Sequence, residues 1–386
     1  MISSLELFSG AGGLAKGLEL AGAVHRGFVE YNGDACQTLR NNFSSELIHE
    51  ADVREYDFDS IGEVDFIAGG PPCQPFSIGG KAKGKDDARD MFPQAIRAIR
   101  AKMPKAFLFE NVKGLLRTGF AEYFEYIILQ LSYPEISLLS DDWLDDLREL
   151  RKIHSLGGYT GLKYRIQYKL VNAADYGVPQ KRERVLIVGI RDDLNVAWSF
   201  PEPTHSKDAL YWQKYVTGEY WRRHQIAPTD REKAREQRLK KELIQKYGMF
   251  PPSELPWVTM RDAFEGIPDP VSYPDFDKEH VYRPGAKLYP GHTGSEIDEP
   301  SKTIKAGAHG VPGGENLVDF CNGHVRYLTV LEAKRIQTFP DDYRISGAWS
   351  ESMRQMGNAV PVKLAQYIAS SLFRAVFGSS ESYMPS

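Results

Sequence analysis

Residues 1–195 predict a doubly wound, mostly parallel α/β sheet, and three observations carry that expectation. Short apolar runs rich in β-branched and aromatic residues alternate with helical patterns, the rhythm of a parallel sheet covered on both faces. Several runs end at Gly, Asp or Glu, which puts polar chemistry at the carboxyl ends of the strands, where open α/β sheets bind ligands. The first run feeds a glycine-rich turn, Phe8-Ser-Gly-Ala-Gly-Gly13, ahead of a helix carrying Leu14, Leu18 and Leu20.

In chain order, strands are expected over Leu5–Phe8, Val24–Glu30, Leu47–Val53, Asp65–Gly69, Ala106–Glu110, Tyr164–Val171 and Val185–Ile190. Between Glu110 and Gln180 the rhythm loosens. The acidic helical run Asp141–Lys152 there reads as a surface insertion, since charges occupy every face except the Leu144, Leu147, Leu150 line. After about residue 197, Pro, Tyr and Trp become frequent and the parallel rhythm stops, so a second, smaller and irregular domain is expected. Within it, Thr229–Tyr247 reads as a solvated mixed-charge helix, and Pro284–Asn316 as Gly-rich polar loops suited to recognition. From Lys363 onward, Leu364, Ile368, Leu372 and Val376 form an apolar stripe that needs a sheet to cover, and the first domain's sheet is the nearest. The expected division is 1–196 with 347–386 as one domain and 197–346 as the other.

Composition narrows the classes. The 386 residues are 42% hydrophobic, enough to bury a sizeable core. Three cysteines, Cys36, Cys73 and Cys321, lie far apart with no CxxC pair, so neither a disulfide framework nor a zinc knuckle is readable and a reducing cytosol is the expected home. With 52 acidic against 48 basic residues the net charge is −4, so any nucleic-acid site has to be local. The segment MISSLELFSG lacks a basic stretch followed by a long apolar core, and no later stretch approaches about 18 uninterrupted apolar residues; a cytoplasmic protein is expected.

Four segments can carry chemistry. The glycines of the first turn allow a ligand to approach a helix N-terminus, but no Lys-Ser or Lys-Thr pair follows them as in a phosphate-binding loop. About twenty residues on, Glu30 closes the second strand, where a carboxylate can accept the hydroxyls of a ribose, and Asp52 with Val53 closes the third. A nucleoside at those acids and a carboxylate at the helix end together describe S-adenosylmethionine; an ordinary tight turn with capping acids is the alternative. Next, Gly69-Gly-Pro-Pro-Cys73-Gln-Pro-Phe-Ser77 holds one thiol in a stiff turn, unlike a core cysteine among aliphatics. A free thiol with pKa near 8.5 is roughly a tenth thiolate at about pH 7.5, and that fraction is strongly nucleophilic. Glu110-Asn-Val112 ends an apolar strand, so burial would favour the protonated acid, able to donate. Gln180-Lys-Arg182-Glu-Arg184 enters a buried strand, and alternation puts Gln180, Arg182 and Arg184 on one side, where they suit a carbonyl, phosphate or carboxylate.

Taken together, the order of these pieces resembles the DNA cytosine-5 methyltransferase family of bacterial restriction-modification type. Phe8-Ser-Gly-Ala-Gly-Gly resembles its cofactor loop, Pro-Pro-Cys73-Gln its nucleophile turn, Glu110-Asn-Val its proton-donating strand end and Gln180-Lys-Arg-Glu-Arg its arginine motif. Arg326-Tyr-Leu-Thr with Glu332, Arg335 and Phe339-Pro340 resembles the motif that organises the recognition domain, and Gln355-Met-Gly-Asn358-Ala-Val-Pro361 the closing motif of the cofactor pocket. Ala51 stands where the family often has Gly, Tyr31 where many members have Trp, and the stretch between Glu110 and Gln180 is longer than in compact members.

The resemblance implies a Rossmann-like catalytic domain that binds S-adenosylmethionine, requires no metal and acts on double-stranded DNA as a monomer in the bacterial cytosol, with a cognate endonuclease acting independently. It implies that Cys73 adds to C6 of a flipped-out cytosine, so that C5 takes up the methyl group, while Glu110 serves N3 and Arg182 the base carbonyl. Arg184 then braces Glu110, and Pro72 and Asn111 belong to the same catalytic group. For the cofactor it implies Phe8, Gly10, Gly12, Gly13, Glu30, Tyr31, Asp52, Val53, Met91, Asn358 and Ala359. At the DNA it implies Gln74, Ser77, Lys81, Lys83, Lys85, Gln180 and Arg326, with Ser77–Asp90 closing as a basic, Gly-containing loop. A silent DNA-binding module and the tRNA-methylating branch of the fold are the competing readings. Intact Cys73, Glu110 and Arg182 oppose the first, and a recognition region of about 125 residues opposes the second.

Overall fold

The computed structural model describes residues 1–72, 90–136, 142–290, 293–306 and 316–378. The chain divides into two compact units, one of residues 1–171, 183–201 and 365–386, the other of residues 172–182 and 202–364.

The first unit is built on a seven-stranded sheet of β1 (Ile2–Leu7), β2 (Ala23–Glu30), β3 (Ile48–Glu50), β4 (Phe66–Gly69), β5 (Ala106–Val112), β6 (Tyr164–Asn172) and β7 (Glu183–Arg191). Their order is β3-β2-β1-β4-β5-β7-β6. β1 pairs parallel with β2 and β4, β2 with β3 and β4 with β5, whereas β5 and β7 are antiparallel. The parallel pairs are linked through helices α1 (Gly13–Leu20), α2 (Gly33–Asn42) and α3 (Phe92–Lys102); α4 (Ala121–Ser132) and α5 (Trp143–Leu156) follow β5. Alternation sorts the side chains into two layers. Leu5, Leu7, Ile67, Phe107, Phe109, Val185 and Ile187 join Ile96 and Ile99 of α3 in the larger core, while Phe28 faces the other way onto Ala15, Cys36 and Leu39.

Three sequence expectations are refined by these elements. α5 keeps its charged faces exposed, as a surface element does, and buries Leu147 and Leu150 of its leucine line in the main core; Asp146 is buried too, accepting a 3.4 Å hydrogen bond from the Tyr126 hydroxyl. The leucine line alone understated its apolar face, because Trp143 stacks edge-on with Tyr123 and packs near Tyr126 of α4. The third strand stops at Glu50 rather than Val53, since Asp52 turns the chain by accepting the Arg54 backbone N–H at 2.9 Å. Finally, residues 172–182 and 347–364, expected in the catalytic domain, group with the second unit.

The C-terminal helix meets its expected sheet. In α12 (Val362–Phe377), Leu364, Ile368 and Leu372 are buried, Phe373 stacks edge-on with Phe66 of β4, and Ser371 accepts the Trp198 indole N–H.

The second unit contains α6 (Lys207–Tyr211), α7 (Glu219–Arg223), α8 (Asp230–Tyr247), α9 (Met260–Ala263), α10 (Val330–Ile336) and α11 (Trp349–Asn358), with short paired strands of which β8 (Leu317–Asp319) and β9 (Val325–Tyr327) form an antiparallel hairpin. α8 lacks an apolar stripe but is anchored by charge. Lys214 is fully buried with Nζ 3.2 Å from both Glu232 of α8 and Glu299, inside a ring of Tyr215, Tyr220 and Trp221. A buried ammonium is tolerable only when paired in this way. Among the described residues no helix is long and apolar enough to cross a membrane.

Candidate active site

Strand order places the site. The sheet reverses between β1 and β4, and at such a switch point the connections leave in opposite directions, opening a crevice at the carboxyl ends. Register then fixes which residues line up there. Leu7 pairs with Val29 and with Gly69, and Gly69 with Phe109, so the next residue of each strand, Glu30, Phe8, Gly70 and Glu110, falls in one row past the pairing. Gly69 is required by close approach, since a Cβ there would sit 2.4 Å from the Leu7 carbonyl oxygen.

At one end of this row lies a cradle. Phe8 and Gly10 take positive φ of 53°, Gly12 takes 80°, and α1 starts at Gly13 with no side-chain cap and no acidic residue in its first turn. A Cβ on Gly10 would meet nothing within 4 Å, so the positive end of α1 lies beside open space. The Glu30 carboxylate is aimed by backbone: Oε2 accepts the Gly10 N–H at 2.8 Å, and Oε1 accepts those of Tyr31 and Asn32 at 3.0 and 2.8 Å. Tyr31 beyond it is 76% exposed. Asp52 is held by Arg54, whose guanidinium and backbone N–H keep the carboxyl below its usual range, and Val53 is buried. Arg97, which the sequence reading missed, braces this turn by donating to the Tyr56 carbonyl at 2.9 Å and to that of Val53, with its guanidinium over the Phe58 ring.

At the other end Pro71 and Pro72 leave β4, and Cys73, Gln74, Ser77, Lys81, Lys83 and Lys85 lie outside the described residues. The chain re-enters at Asp90, where Met91 donates its N–H to the Pro72 carbonyl at 3.0 Å. Two side chains fix these ends. Asn111 Nδ2 donates to the Pro71 carbonyl at 2.9 Å, and the Tyr123 hydroxyl donates to the buried Asp90 carboxylate. No sequence pattern announced the Tyr123 clamp, because its partner is 33 residues away.

Glu110 is 8% exposed, and its Oε1 lies 2.7 Å from Nε of Arg184. The pairing follows from strand geometry: Val112 is opposite Arg184 and Glu110 opposite Leu186, so Glu110 and Arg184 are diagonal neighbours on one face, within reach of a long side chain.

The arginine motif divides. Gln180 and Arg182 belong to the interior of the second unit and Arg184 to the first, because the chain passes between units at Arg182. Arg182 is 1% exposed and donates Nη2–H to the Gly357 carbonyl at 3.0 Å. Gln180, expected at DNA, is fully buried, donating to Gln337 Oε1 and accepting the Ile304 N–H, each at 3.0 Å. Arg326, also expected at DNA, is buried with both Nη atoms on the Glu332 carboxylate, which in turn accepts the Thr329 backbone N–H in the capping box of α10. In the structure both are spent on internal bonds. Asn358 is exposed at the end of α11 and Ala359 is buried behind it.

Comparisons with known proteins agree with this architecture. A profile of the C-5 cytosine-specific DNA methylase family matches residues 2–133 and 148–374. The Type II methyltransferase M.NgoMIV of Neisseria gonorrhoeae is 32% identical over 385 residues, covering 97% of this chain and 98% of that protein. M.PspPI of Psychrobacter sp. (strain TA137), also a Type II methyltransferase, is 34% identical over 379 residues, covering 96% of this chain and 79% of its own. The S. pombe Dnmt2 methyltransferase structure shares the fold, with TM-score 0.59 at 17% identity over 98% of this chain and all of that one. A match spanning both units, with relatives above 30% identity along nearly the whole length, makes this chain a member of the C-5 cytosine-specific DNA methylase family.

Proposed function

We propose that this DNA cytosine-5 methyltransferase transfers a methyl group from S-adenosylmethionine to C5 of a flipped-out cytosine in a specific double-stranded sequence, through a covalent bond between Cys73 and C6. The observation that carries the reading is the row of strand ends, in which the glycine cradle, the Pro71-Pro72 elbow leading to Cys73, and Glu110 stand side by side at the switch point.

The cradle fits the cofactor. Oε2 of Glu30 keeps acceptor capacity for a ribose hydroxyl beyond its single backbone bond, and the uncapped α1 terminus beside Gly10, Gly12 and Gly13 suits the methionine carboxylate. Phe8, Tyr31, Asp52 and Val53 would hold the adenine end, with Met91, Asn358 and Ala359 completing the pocket. When bound, S-adenosylmethionine supplies a methyl group on a positively charged sulfur.

The chain's residues make cytosine reactive towards it. The Cys73 thiolate forms a bond to C6, which removes the ring's aromaticity and makes C5 nucleophilic. Glu110 serves the charge developing at N3, held in place by Arg184, and Arg182 serves the base carbonyl. Loss of the C5 proton and departure of the Cys73 sulfur from C6 restore the ring. The base reaches these groups only by leaving the duplex, at a cost of a few kcal/mol that pocket contacts must offset. The Type II names of its relatives support a role as the protective methylase of a restriction-modification system.

Bisulfite sequencing of DNA from cells expressing the chain should show one recurrent methylated sequence. A duplex carrying 5-fluorocytosine at that target should give a denaturation-resistant protein–DNA conjugate, lost in Cys73→Ala. An active enzyme that forms no conjugate would overturn the covalent route.

A further inference from the structure

Resting on that reading, we propose that the loop of residues 281–290 in the second unit is a DNA-reading element of this enzyme, with Arg283 contacting base edges in the major groove and Lys287 the phosphate backbone. The loop is fixed at its root. His280 is fully buried, bonded through Nδ1 to the Thr329 hydroxyl at 2.9 Å and donating its Nε2–H to the Pro268 carbonyl oxygen at 2.8 Å. Next to it, the Glu279 carbonyl accepts the Leu331 N–H at 3.0 Å, and its carboxylate pairs with the buried Lys334 and accepts the Ile345 N–H at 2.8 Å. The root is thereby tied to α10, whose own capping box uses Thr329 and Glu332.

Beyond this root, residues 281–290 are exposed except Ala286, which is half-buried. Within it Gly285 takes φ 92°, a left-handed conformation that glycine adopts without a Cβ penalty. Arg283 and Lys287 stand two residues to either side of Gly285, and neither has a carboxylate partner among the described residues. The loop sequence, Val281-Tyr-Arg-Pro-Gly-Ala-Lys-Leu-Tyr-Pro290, contains no acid. Tyr282, Leu288 and Tyr289 are 39, 44 and 57% exposed, apolar surface that a lone soluble loop would be expected to fold away. Cations without a carboxylate partner among the described residues, beside exposed rings, match a polyanion that also presents flat, partly apolar surfaces, and duplex DNA is the polyanion this enzyme class acts on. Arg283 is further oriented by the Trp349 ring, 5.8 Å from its guanidinium carbon, which suits the directional demand of a base edge.

The basic helix α8 makes the contrast. Arg231 and Arg235 pair with Glu296, Lys233 with Asp230, Arg238 with Glu242 and Lys246 with Asp208, so most of its cations already face carboxylates.

The test compares wild-type full-length enzyme with Arg283→Ala, Lys287→Ala and, as a control on α8, Lys233→Ala. The readouts are the methylated sites in a random-sequence duplex pool, KM and kcat on the preferred duplex, and the salt dependence of KM. Arg283→Ala should broaden or shift the methylated sequence and raise KM for the preferred duplex about tenfold or more, with a smaller change in kcat. Lys287→Ala should raise KM without changing the methylated sequence, and should reduce the salt slope by about one. Both variants should match the wild-type circular dichroism spectrum and melting midpoint, because neither side chain is buried. An active wild type with both loop variants at wild-type site spectrum, KM and salt slope would overturn the loop assignment alone. A folded wild type that methylates no duplex would overturn the functional reading, and the loop assignment with it.

Discussion

Replacing Arg184 by Met tests whether Glu110 is held by charge. The two groups approach to 2.7 Å with side chains only 13 and 10% exposed. At an effective dielectric of about 20, unit charges at that separation attract by about 6 kcal/mol, while taking both ions out of water returns several kcal/mol of that gain. Removing only the arginine leaves a buried carboxylate without its counter-ion, a situation that costs about 3–5 kcal/mol. Arg184→Met should therefore lower unfolding free energy by about that amount in a urea titration at neutral pH, whereas Arg184→Met combined with Glu110→Gln should recover most of the loss. Activity should follow a different pattern. If Arg184 acts through Glu110, kcat/KM of the double variant should fall no further than that of Glu110→Gln alone, because a positioning residue has nothing left to position. A coupling below about 0.5 kcal/mol in the stability cycle would refute the argument, as would strictly multiplicative losses in kcat/KM.

Four further outcomes are expected. Arg326→Ala should cost about 3–5 kcal/mol in a urea titration, because it strands the buried Glu332 that caps α10; a loss below about 1 kcal/mol would show that the pair is not structural. Asn111→Ala frees the Pro71 carbonyl and should lower kcat about tenfold or more, with cofactor affinity measured by calorimetry changed far less; unchanged kcat would show that the elbow is fixed by other contacts. Tyr123→Phe removes the hydroxyl bound to Asp90 and should destabilise the fold by about 1.5–3 kcal/mol, read from the denaturation midpoint. Burial and the Lys363 ammonium push His205 down to about 4 from an ordinary 6.5, so the unfolded chain binds the extra proton between those values. Stability contributed by neutral His205 is complete above about pH 6.5 and is lost as pH falls towards 4, and His205→Gln should flatten that part of the pH–stability curve.

The catalytic sheet was largely legible because each strand announces itself locally, by an apolar run and a turn residue at its end. Phe8, Glu30 and Glu110 could be placed at one edge for the same reason: parallel strands put their carboxyl ends together whatever the sequence distance between them. What stayed hidden depended on partners far along the chain. Arg326 has the chemistry of a DNA contact, and only the fold reveals that Glu332 consumes it. Gln180, Arg182 and Arg184 were grouped by alternation, which assumes one continuous strand; the chain instead changes unit after Arg182, and alternation ends where the strand does. The leucine line marks the buried side of α5, but its full contact stays hidden because Asp146 is buried and Trp143 half-buried against tyrosines of α4, and no periodicity in α5 encodes the surface it will meet.

The same register explains why two adjacent residues at the end of β5 can serve two ends of the site. Successive side chains in a strand point to opposite faces, so Glu110 and Asn111 reach different partners. Glu110 turns to the face where the antiparallel β7 brings Arg184 diagonally across, and Asn111 turns away from it to donate to the Pro71 carbonyl. One strand end thus positions the acid and steadies the elbow that leads to Cys73, without a loop between them to flex. Shifting β5 against β4 by a single residue would exchange those faces, taking the carboxylate away from Arg184 and the amide away from the Pro71 carbonyl. The apolar run Ala106–Phe109, buried on both sides between β4 and β7, pins that register, so the precision of the site rests on the packing of a strand whose core residues touch no substrate.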